Sequence, residues 1–437
     1  MKQASSNACR RPALLRCPGI ALVLGLASLL HPGAEAWASP VDLFGVGGRS
    51  PALAGTGVAD ANDFDNAFLN PAGLADVDGK HITMGTISGD LFLYRNDART
   101  DTDRITGIII GGALRLPMGG VMRDRLGIGF GFQIPTAAIN RARHPLPGVP
   151  VHVLLENRTQ VVSIQAALGA RILDNLQVGF GMMALAELRG TIDVTTDAAG
   201  RFTSFSEQQM IARIAPVVGV RYLLPDQGLS LGAVVRGVSR SDYDILVSNE
   251  LGDILPVSIP TVRLAGASQY TPLTAALEAR WAASDRLALS GQLAYQRWSA
   301  YAQPTTNPVP GGDPLPDHGF SDTVIPRLSV EWRPSLGKTE LAVRGGYAFS
   351  LSPAPEMDGQ QSLLDNHRHI VSSGLGLSWP GTSIPIKVDV WMQLHQLMPR
   401  THEKDPTLFD PGQELPFDTM DTSGRILVGG LTMGVEI

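Results

Sequence analysis

Cysteine is almost absent from this sequence of 437 residues, and its two copies, Cys9 and Cys17, lie near the start. The rest of the chain therefore cannot be stabilised by disulfide bonds. Charged side chains are also scarce, at 17% of residues, whereas soluble domains typically contain about 25%. Aromatic residues contribute only 6%. So little charge is unusual for a protein whose whole surface meets water.

Long hydrophobic runs are missing after the first thirty residues. The apolar stretch 105–116 is short, and three glycines interrupt it: Gly107, Gly111 and Gly112. A helix that crosses a bilayer needs about 20 consecutive apolar residues. The sequence therefore predicts no transmembrane helix.

The first 38 residues have the pattern of a secretory signal peptide. Four basic residues precede the apolar stretch 20–30, and Ala36-Trp37-Ala38 offers small residues for cleavage. We predict that residues 1–38 are this signal peptide, so the mature chain contains no cysteine. Its removal takes away four basic residues and one acidic residue, which leaves 31 basic against 40 acidic residues. This acidic balance argues against a nucleic-acid partner.

From residue 80 onward the dominant sequence period is two, which is typical of β-strands. In the stretch 384–395, for example, Val390 and Met392 share an apolar face, whereas Asp389 and Gln393 lie on the opposite face. The strands are about ten residues or longer, with an apolar face suited to lipid and a crowded polar face suited to a lumen. A large soluble β-sandwich is the alternative, but its polar face would carry more Lys and Glu.

Counting these segments predicts an all-β fold, a transmembrane antiparallel β-barrel of about 14 strands that spans residues 80–437. Short links such as 173–175 alternate with long links such as 191–206 and 352–366, as expected for a barrel with short turns at one end. The apolar face changes parity at Pro272, which predicts a bulge or kink in that strand.

Residues 39–79 do not alternate and are rich in small apolar residues. They include Ala54-Gly55-Thr56-Gly57-Val58-Ala59-Asp60 and Asn70-Pro71-Ala72-Gly73-Leu74-Ala75. Small residues let one stretch of backbone lie close to another. We therefore predict that residues 39–79 pack inside the barrel as a plug.

Both motifs resemble the N-terminal hatch of the FadL family of outer-membrane transporters. A second match, Arg344-Gly345-Gly346-Tyr347-Ala348-Phe349 with the downstream Asp365-Asn366-His367-Arg368-His369, is similar to a strand–loop–strand segment of that family. A third and looser match is 293–299. The resemblance covers most of the mature chain.

The resemblance implies a fourteen-stranded barrel in the cell outer membrane, with a hatch that fills its lumen. Members take up long-chain fatty acids passively, and some branches take up aromatic hydrocarbons or other apolar compounds. The implied route passes the hatch and leaves laterally through the barrel wall at a kinked third strand. The implied partners are the hydrophobic ligand, outer-membrane lipid and, during biogenesis, the barrel-assembly machinery.

The hatch motif supplies the candidate gate residues, which are Asn70, Pro71, Ala72 and Gly73. A fixed turn is the alternative interpretation, because Asn-Pro favours turns. The candidate ligand-lining residues are Phe64, Phe68 and Leu69. Simple packing within the hatch is the alternative for these three side chains.

Five basic side chains are predicted to point into the lumen, where they could bind a carboxylate head group: Arg263, Arg327, Arg344, Lys387 and His395. Ion pairing inside the lumen is the alternative, and we favour it for any single residue. The acidic partners available for such pairs are Glu278, Glu331, Glu340 and Asp389.

Two further functions remain open, a general porin and an outer-membrane lipid hydrolase that would use His367 or His369. No Ser/His/Asp arrangement with supporting spacing is found. The acidic loop around Asp97, Asp101 and Asp103 is interpreted as a solvated loop and not as a calcium site. We therefore predict no catalytic residue, no metal and no cofactor.

Overall fold

The structure, a computed structural model, describes eight stretches of the chain: 41–61, 63–137, 150–159, 162–196, 202–249, 262–301, 318–359 and 362–437. The predicted signal peptide, 1–38, lies outside these stretches. In the described residues, no helix is both long and apolar enough to cross a membrane.

Eighteen strands form one sheet among the described residues. They are β1 (Lys80–Arg95), β2 (Ala98–Arg99), β3 (Ile105–Arg115), β4 (Leu126–Pro135), β5 (Ser163–Leu173), β6 (Leu176–Thr196), β7 (Phe202–Leu224), β8 (Leu229–Arg236), β9 (Ser239–Asn249), β10 (Val262–Thr271), β11 (Thr274–Ser284), β12 (Leu287–Gln296), β13 (Thr323–Trp332), β14 (Ser335–Leu336), β15 (Thr339–Ser350), β16 (Arg368–Trp379), β17 (Ile386–Glu403) and β18 (Thr419–Glu436).

Helices are short, and most of them precede the first strand or lie in links. The α-helices are α1 (Val41–Phe44), α2 (Arg49–Ala52), α3 (Asn66–Leu69) and α4 (Val153–Glu156). The 3-10 helices are η1 (Pro71–Asp76), η2 (Gly120–Met122), η3 (Asn157–Thr159), η4 (Pro225–Gln227), η5 (Trp298–Ala300) and η6 (Pro406–Leu408).

Fourteen of the strands form the barrel wall; the other four are the two-residue strands β2 and β14 and the extensions β9 and β10. Neighbouring wall strands pair antiparallel, and β8 pairs directly with β11. The wall closes because β1 pairs with β18 over fifteen positions, from His81 with Glu436 to Arg95 with Thr422. The predicted barrel of about 14 strands is confirmed. Closure removes the free sheet edges that an open sheet would expose.

Strand β17 shows how the sequence period produces the two faces of the wall. Val390 and Met392 are about half exposed, whereas Asp389, Gln393 and His395 on the opposite face are buried. The predicted alternation is therefore confirmed in this strand. Large apolar side chains are exposed in the same way on other wall strands, which is the pattern required of a surface in contact with lipid tails.

The links between wall strands differ in length at the two ends of the barrel. Residues 174–175 and 285–286 form tight turns at one end, whereas 351–367 and 404–418 are long links at the other end. We call the second end the long-loop end. This alternation agrees with the pattern predicted from the sequence.

The strand that contains Pro272 is broken, as predicted. β10 ends at Thr271 and β11 begins at Thr274, and the neighbouring strand is interrupted at the same level, between Arg236 and Ser239. Proline supplies no backbone N–H, so it cannot continue the ladder of hydrogen bonds.

Beyond this break the long-loop end carries an outer sheet with the order β7-β6-β9-β10. β9 runs parallel to β6, from Leu188 with Tyr243 to Val194 with Asn249. The prediction placed a loop at 191–206, but β6 continues to Thr196 and β7 starts at Phe202. The added hydrogen bonds to β9 explain why this stretch forms strands.

Strand β4 is continuous, although the resemblance implied a kinked third strand. It pairs with β3 from Gly107 with Pro135 to Arg115 with Gly127, and with β5 over eight positions. Neither register shifts. In the described part of the wall, β4 is therefore closed on both sides.

Residues 41–76, which we call the N-terminal segment, pack their backbone against glycines of the wall strands. A Cβ atom at Gly127 would lie 2.0 Å from the carbonyl oxygen of Leu74, and one at Gly179 would lie 2.2 Å from the carbonyl carbon of Pro71. Only glycine allows such a close approach between two stretches of backbone. The buried face of the wall is therefore shaped to accept this segment.

A methyl group at Gly179 is expected to disturb this contact. The Gly179→Ala variant should lose about 1–3 kcal/mol of stability, the usual cost of overpacking, because the atoms it meets belong to backbone that cannot rotate away. Thermal unfolding of the purified protein measures the loss. Gly291→Ala is the matched control, since its nearest neighbour would be a Leu328 methyl group at 3.7 Å. Equal unfolding temperatures for the two variants would contradict the contact.

Candidate ligand-binding site

An ion-pair network joins the N-terminal segment to the wall. Arg49 lies 2.6 Å from Asp60 within the segment and 2.9 Å from Glu331 of β13. Glu331 also contacts Arg344 of β15 at 2.7 Å, and Arg344 reaches Asp389 of β17 at 2.5 Å. The central carboxylate, Glu331, is only 3% exposed. Glu331 therefore holds Arg49 against the wall, and Arg344 and Asp389 extend the network along the wall.

Two of the predicted head-group residues belong to this network. Arg344 is bound by two carboxylates, as described above, and Lys387 lies 3.4 Å from Asp389. Their positive charges are therefore compensated by neighbours in the wall.

The predicted gate residues form a capped turn. Asn70 caps η1 by accepting a hydrogen bond from the N–H of Ala72 at 3.1 Å, and Pro71 occupies the first position of that helix. The amide of Asn70 also donates to the carbonyl of Val58 at 2.7 Å and to that of Val220 in β7 at 3.1 Å. A Cβ atom at Gly73 would collide with the side chain of Asn66. The motif thus folds the segment and ties it to the wall.

The three predicted ligand-lining residues share one buried apolar cluster, but they do not all line the same cavity. Phe64 packs against the wall at Gly111 and Gly131. Phe68 and Leu69, in contrast, line a cavity between the N-terminal segment and the long-loop end.

This cavity, which we call the arginine cavity, has a volume of about 50 Å³. The N-terminal segment, the wall and the links of the long-loop end each contribute to its lining. Its charged lining residues are Asp42, Arg158, Arg236, Arg327, Asp365 and Arg368. Its apolar lining includes Phe44, Phe68, Leu154, Trp298, Ile325 and Ile370. A cavity lined by both cations and apolar groups suits an amphiphilic anion.

The four arginines of the cavity make hydrogen bonds to neutral groups. Arg158 donates to the hydroxyl of Thr271 at 3.2 Å, Arg236 to the carbonyl of Leu69 at 3.4 Å, and Arg368 to the hydroxyl of Ser350 at 3.3 Å. The guanidinium of Arg236 also lies 4.8 Å from the ring centre of Phe68.

Arg327, the fourth arginine, hydrogen-bonds to the side chain of Gln292. With the Gln292 amide oriented to satisfy both neighbours, its oxygen accepts from Arg327 at 2.5 Å and its nitrogen donates to Glu278 at 2.8 Å. Among the described residues, none of the four arginines has a carboxylate oxygen within 4.0 Å. This is the distance that defines the ion pairs of the network described above.

Two titratable groups of the cavity come from links at the long-loop end. Burial lowers the pKa of Arg158 to about 10, so its guanidinium stays protonated at neutral pH. Burial raises the pKa of Asp365, while Arg368 and Arg158 oppose this rise. The cavity is therefore positively charged under ordinary conditions.

An aromatic cluster adjoins the cavity through Trp298. Tyr301 stacks on Phe320 with ring centres 4.6 Å apart, and Trp298 lies edge-on to Phe320 at 6.1 Å. Trp298 also lines the cavity, where the guanidinium of Arg158 lies 5.7 Å from its ring centre. Through Trp298, the aromatic cluster thus forms part of the cavity lining.

The remaining predicted head-group residues have different positions. Arg327 lines the arginine cavity. His395 lines it as well, donates a hydrogen bond from Nε2 to the Gln393 amide oxygen at 2.9 Å, and packs edge-on against Phe44 with ring centres 5.4 Å apart. The backbone of Arg263 belongs to β10, but its side chain lies outside the described part of the structure.

Sequence reasoning missed three of the four cavity arginines. Arg236 and Arg368 stand at inward positions of strands that it did identify, so alternation was the signal that could have found them. Arg158 follows no strand period, because it lies in the short helix η3.

Comparisons with known proteins show which fold this is. No protein-family model and no curated protein matches the chain by sequence. A FadL homologue of Pseudomonas aeruginosa is similar in structure, with a TM-score of 0.58 and 12% identity over 92% of this chain and 98% of the other. The toluene transporter TodX of P. putida gives a TM-score of 0.57 and 12% identity over 91% and 99%.

A third solved structure, the monoaromatic hydrocarbon channel CymD, gives a TM-score of 0.51 and 16% identity over 91% of this chain and 98% of the other. All three matches extend over nearly the whole length of both chains. The chain therefore has the fold of the FadL-type channels, as its sequence motifs implied.

Proposed function

We propose that this protein is an outer-membrane channel for the passive uptake of hydrophobic compounds that carry an acidic head group, with long-chain fatty acids as the first candidate. The observation that carries the proposal is the arginine cavity, which combines four guanidinium groups, three of them on buried side chains, with an apolar lining. Charge-assisted hydrogen bonds from arginine to a carboxylate are among the strongest that proteins make.

The location follows from the same features. An exposed apolar surface around the closed wall suits contact with lipid tails, and the predicted signal peptide would direct export. In this proposal, outer-membrane lipid surrounds the wall, and the barrel-assembly machinery inserts it.

The N-terminal segment acts as the hatch in this proposal. The arginine cavity has room for roughly three to five water molecules, which is enough for a head group and too little for a long alkyl chain. Passage therefore requires the N-terminal segment or the aromatic cluster to move. The turn at Asn70-Pro71 is one place at which the segment could pivot.

The ligand then leaves sideways through the wall into the lipid. An alkyl chain gains about 0.8 kcal/mol per CH2 group when it is buried in lipid, so lipid is a better destination than water. Because β4 is closed on both sides, this exit requires hydrogen bonds between wall strands to separate for a time.

An aromatic hydrocarbon such as toluene is the second candidate. The solved structures of TodX and CymD have this fold and are named for such compounds, and Trp298 gives the cavity an aromatic lining. A neutral hydrocarbon, however, would leave the surplus positive charge of the four guanidinium groups over the two carboxylates without a counter-charge. We therefore place the acidic ligand first.

Uptake into liposomes tests the function directly. Proteoliposomes that contain this protein are expected to take up labelled oleate at least about tenfold faster than protein-free liposomes, while labelled toluene enters both at similar rates. The reason is that the ionised head group crosses a bare bilayer slowly. Oleate uptake no faster than in protein-free liposomes would rule out the fatty-acid form of the proposal, and faster toluene uptake alone would favour the second candidate.

A further inference from the structure

The charges that line the arginine cavity do not balance. Four guanidinium groups face two carboxylates, Asp42 and Asp365, which leaves a surplus of two positive charges. One oxygen of Asp42 is buried without a hydrogen-bond partner in the described residues, and Asp365 is attracted by Arg368 and Arg158. These two carboxylates therefore offset only part of the positive charge, and among the described residues they form no close ion pair with the four arginines.

A third carboxylate, Glu278, lies nearby but is held by other groups. It accepts hydrogen bonds from the N–H groups of Gly57 at 2.8 Å and Val58 at 2.7 Å. The Gln292 amide stands between it and Arg327. Glu278 therefore serves the N-terminal segment and does not line the cavity.

Several cavity donors also lack acceptors. The Nε atoms of Arg158, Arg236 and Arg368, and one terminal nitrogen of Arg368, are buried and have no hydrogen-bond partner among the described residues. All three side chains are less than a tenth exposed. A buried donor without an acceptor costs about 1–3 kcal/mol.

Elsewhere the same chain pairs its buried arginines. Arg49 and Arg344 share the carboxylate of Glu331, and Arg221 forms an ion pair with Asp76. Among the buried arginines that the structure describes, the lack of an ion-pair partner is thus particular to the arginine cavity. An anion that comes from outside the chain would supply the missing charge and the missing acceptors together.

We propose that the arginine cavity binds a head group with two negative charges on neighbouring oxygens, as in a dicarboxylate or a phosphate monoester, more tightly than a single carboxylate. A volume of about 50 Å³ suits such a compact group. This inference rests on the proposed function, because it specifies the head group of the same ligand class.

Direct binding separates this proposal from transport. Four amphiphiles with the same tail, dodecyl phosphate, dodecylmalonate, dodecanoate and dodecanol, are titrated into the purified protein in nonionic detergent at pH 8. Both dianions are expected to bind at least about tenfold more tightly than dodecanoate, and dodecanol most weakly. The affinities of dodecyl phosphate and dodecylmalonate, compared with each other, show whether the cavity prefers a phosphate monoester or a dicarboxylate.

The pH dependence of binding tests whether the cavity recognises the second negative charge, an effect that a purely structural role of the arginines would not produce. The second phosphate ionisation of a monoester has a pKa of about 6. Lowering the pH from 8 to 5 removes that second charge, so the advantage of dodecyl phosphate over dodecanoate measured at pH 8 is expected to shrink.

Variants complete the experiment. Arg368→Gln is expected to reduce dianion affinity at least about tenfold and dodecanoate affinity much less; Arg236→Gln is the second variant should the first fail to fold. Arg286→Gln, in an exposed turn, is the control without effect. Dodecanoate binding as tight as that of both dianions overturns this proposal even if oleate is taken up. Absence of acidic-ligand uptake, in contrast, overturns the proposed function.

Discussion

Glu331→Gln is expected to lower the free energy of unfolding by about 3–5 kcal/mol, the cost of breaking a buried ion pair by removing one partner. The carboxylate of Glu331 is shared by Arg49 at 2.9 Å, Arg344 at 2.7 Å and Arg333 at 2.6 Å. A neutral amide cannot compensate three guanidinium groups. Arg49 would therefore keep only Asp60 as an acidic partner within the network.

The same variant is expected to loosen the N-terminal segment. Arg49 is its ionic attachment to β13, so its release should raise the ion conductance of the barrel in planar bilayers several-fold. The control is Glu340→Gln, which changes an exposed carboxylate of β15 that accepts one hydrogen bond from Ser378. Unchanged stability and unchanged conductance in Glu331→Gln would contradict the assigned role of the network.

Arg236→Gln is expected to have the opposite effect on stability. Its guanidinium is buried, lacks a carboxylate within 4.0 Å among the described residues, and repels the neighbouring Arg327. Removing this charge should raise the free energy of unfolding by about 1–3 kcal/mol. Thermal unfolding of the variant beside the parent protein measures the change.

Arg236→Gln is expected to take up oleate more slowly although its stability rises. Oleate uptake by Arg236→Gln should drop about tenfold, which corresponds to about 1.4 kcal/mol of lost binding, because one of the four cations is missing. Arg344→Gln, which removes an arginine with two acidic partners, should instead destabilise the protein. If Arg236→Gln and Arg344→Gln both reduced stability by the same amount, the distinction between paired and unpaired arginines would be wrong.

Strand register explains this distinction. Arg344 stands directly opposite Glu331, so the pairing of β13 with β15 creates an ion pair. Arg236 stands opposite Thr274, and Arg368 opposite Ser350. Both neighbours are neutral, and the register therefore leaves these arginines without a counter-charge.

Period-two alternation predicted the barrel because the main requirement for a wall strand is an apolar face along its whole length, and this face can be read from the sequence. It placed Asp389 and His395 on the buried side, where the structure has them. The break at Pro272 could also be predicted, because the missing backbone N–H of proline and the switch of the apolar face are local properties of the sequence.

The arginine cavity could not be predicted from the sequence, because its lining residues are far apart in the chain and only the fold brings them together. Arg158 reaches it only through a link that folds inward at the long-loop end. The parallel pairing of β9 with β6 was also unpredictable, because alternation fixes the face of a side chain and not the partner of its strand. Arg327 was found, but its separation from Glu278 by Gln292 depends on register.

The glycines of the wall show a third limit. The sequence contains 48 glycines, but it does not show which other stretch of backbone each of them packs against. Gly127 and Gly179 are explained only by the backbone of Leu74 and Pro71, which lies within contact distance of each.

Photo-crosslinking of a bound fatty acid tests the central claim most directly. A palmitate analogue with a diazirine next to its carboxylate is activated on the purified protein, and labelled peptides are mapped by mass spectrometry. Labels on the residues that line the arginine cavity, such as Phe68, Leu154 or Trp298, are the expected result. Labels confined to the exposed face of the wall, for example at Leu277 and Leu293, would contradict a head-group site inside the barrel.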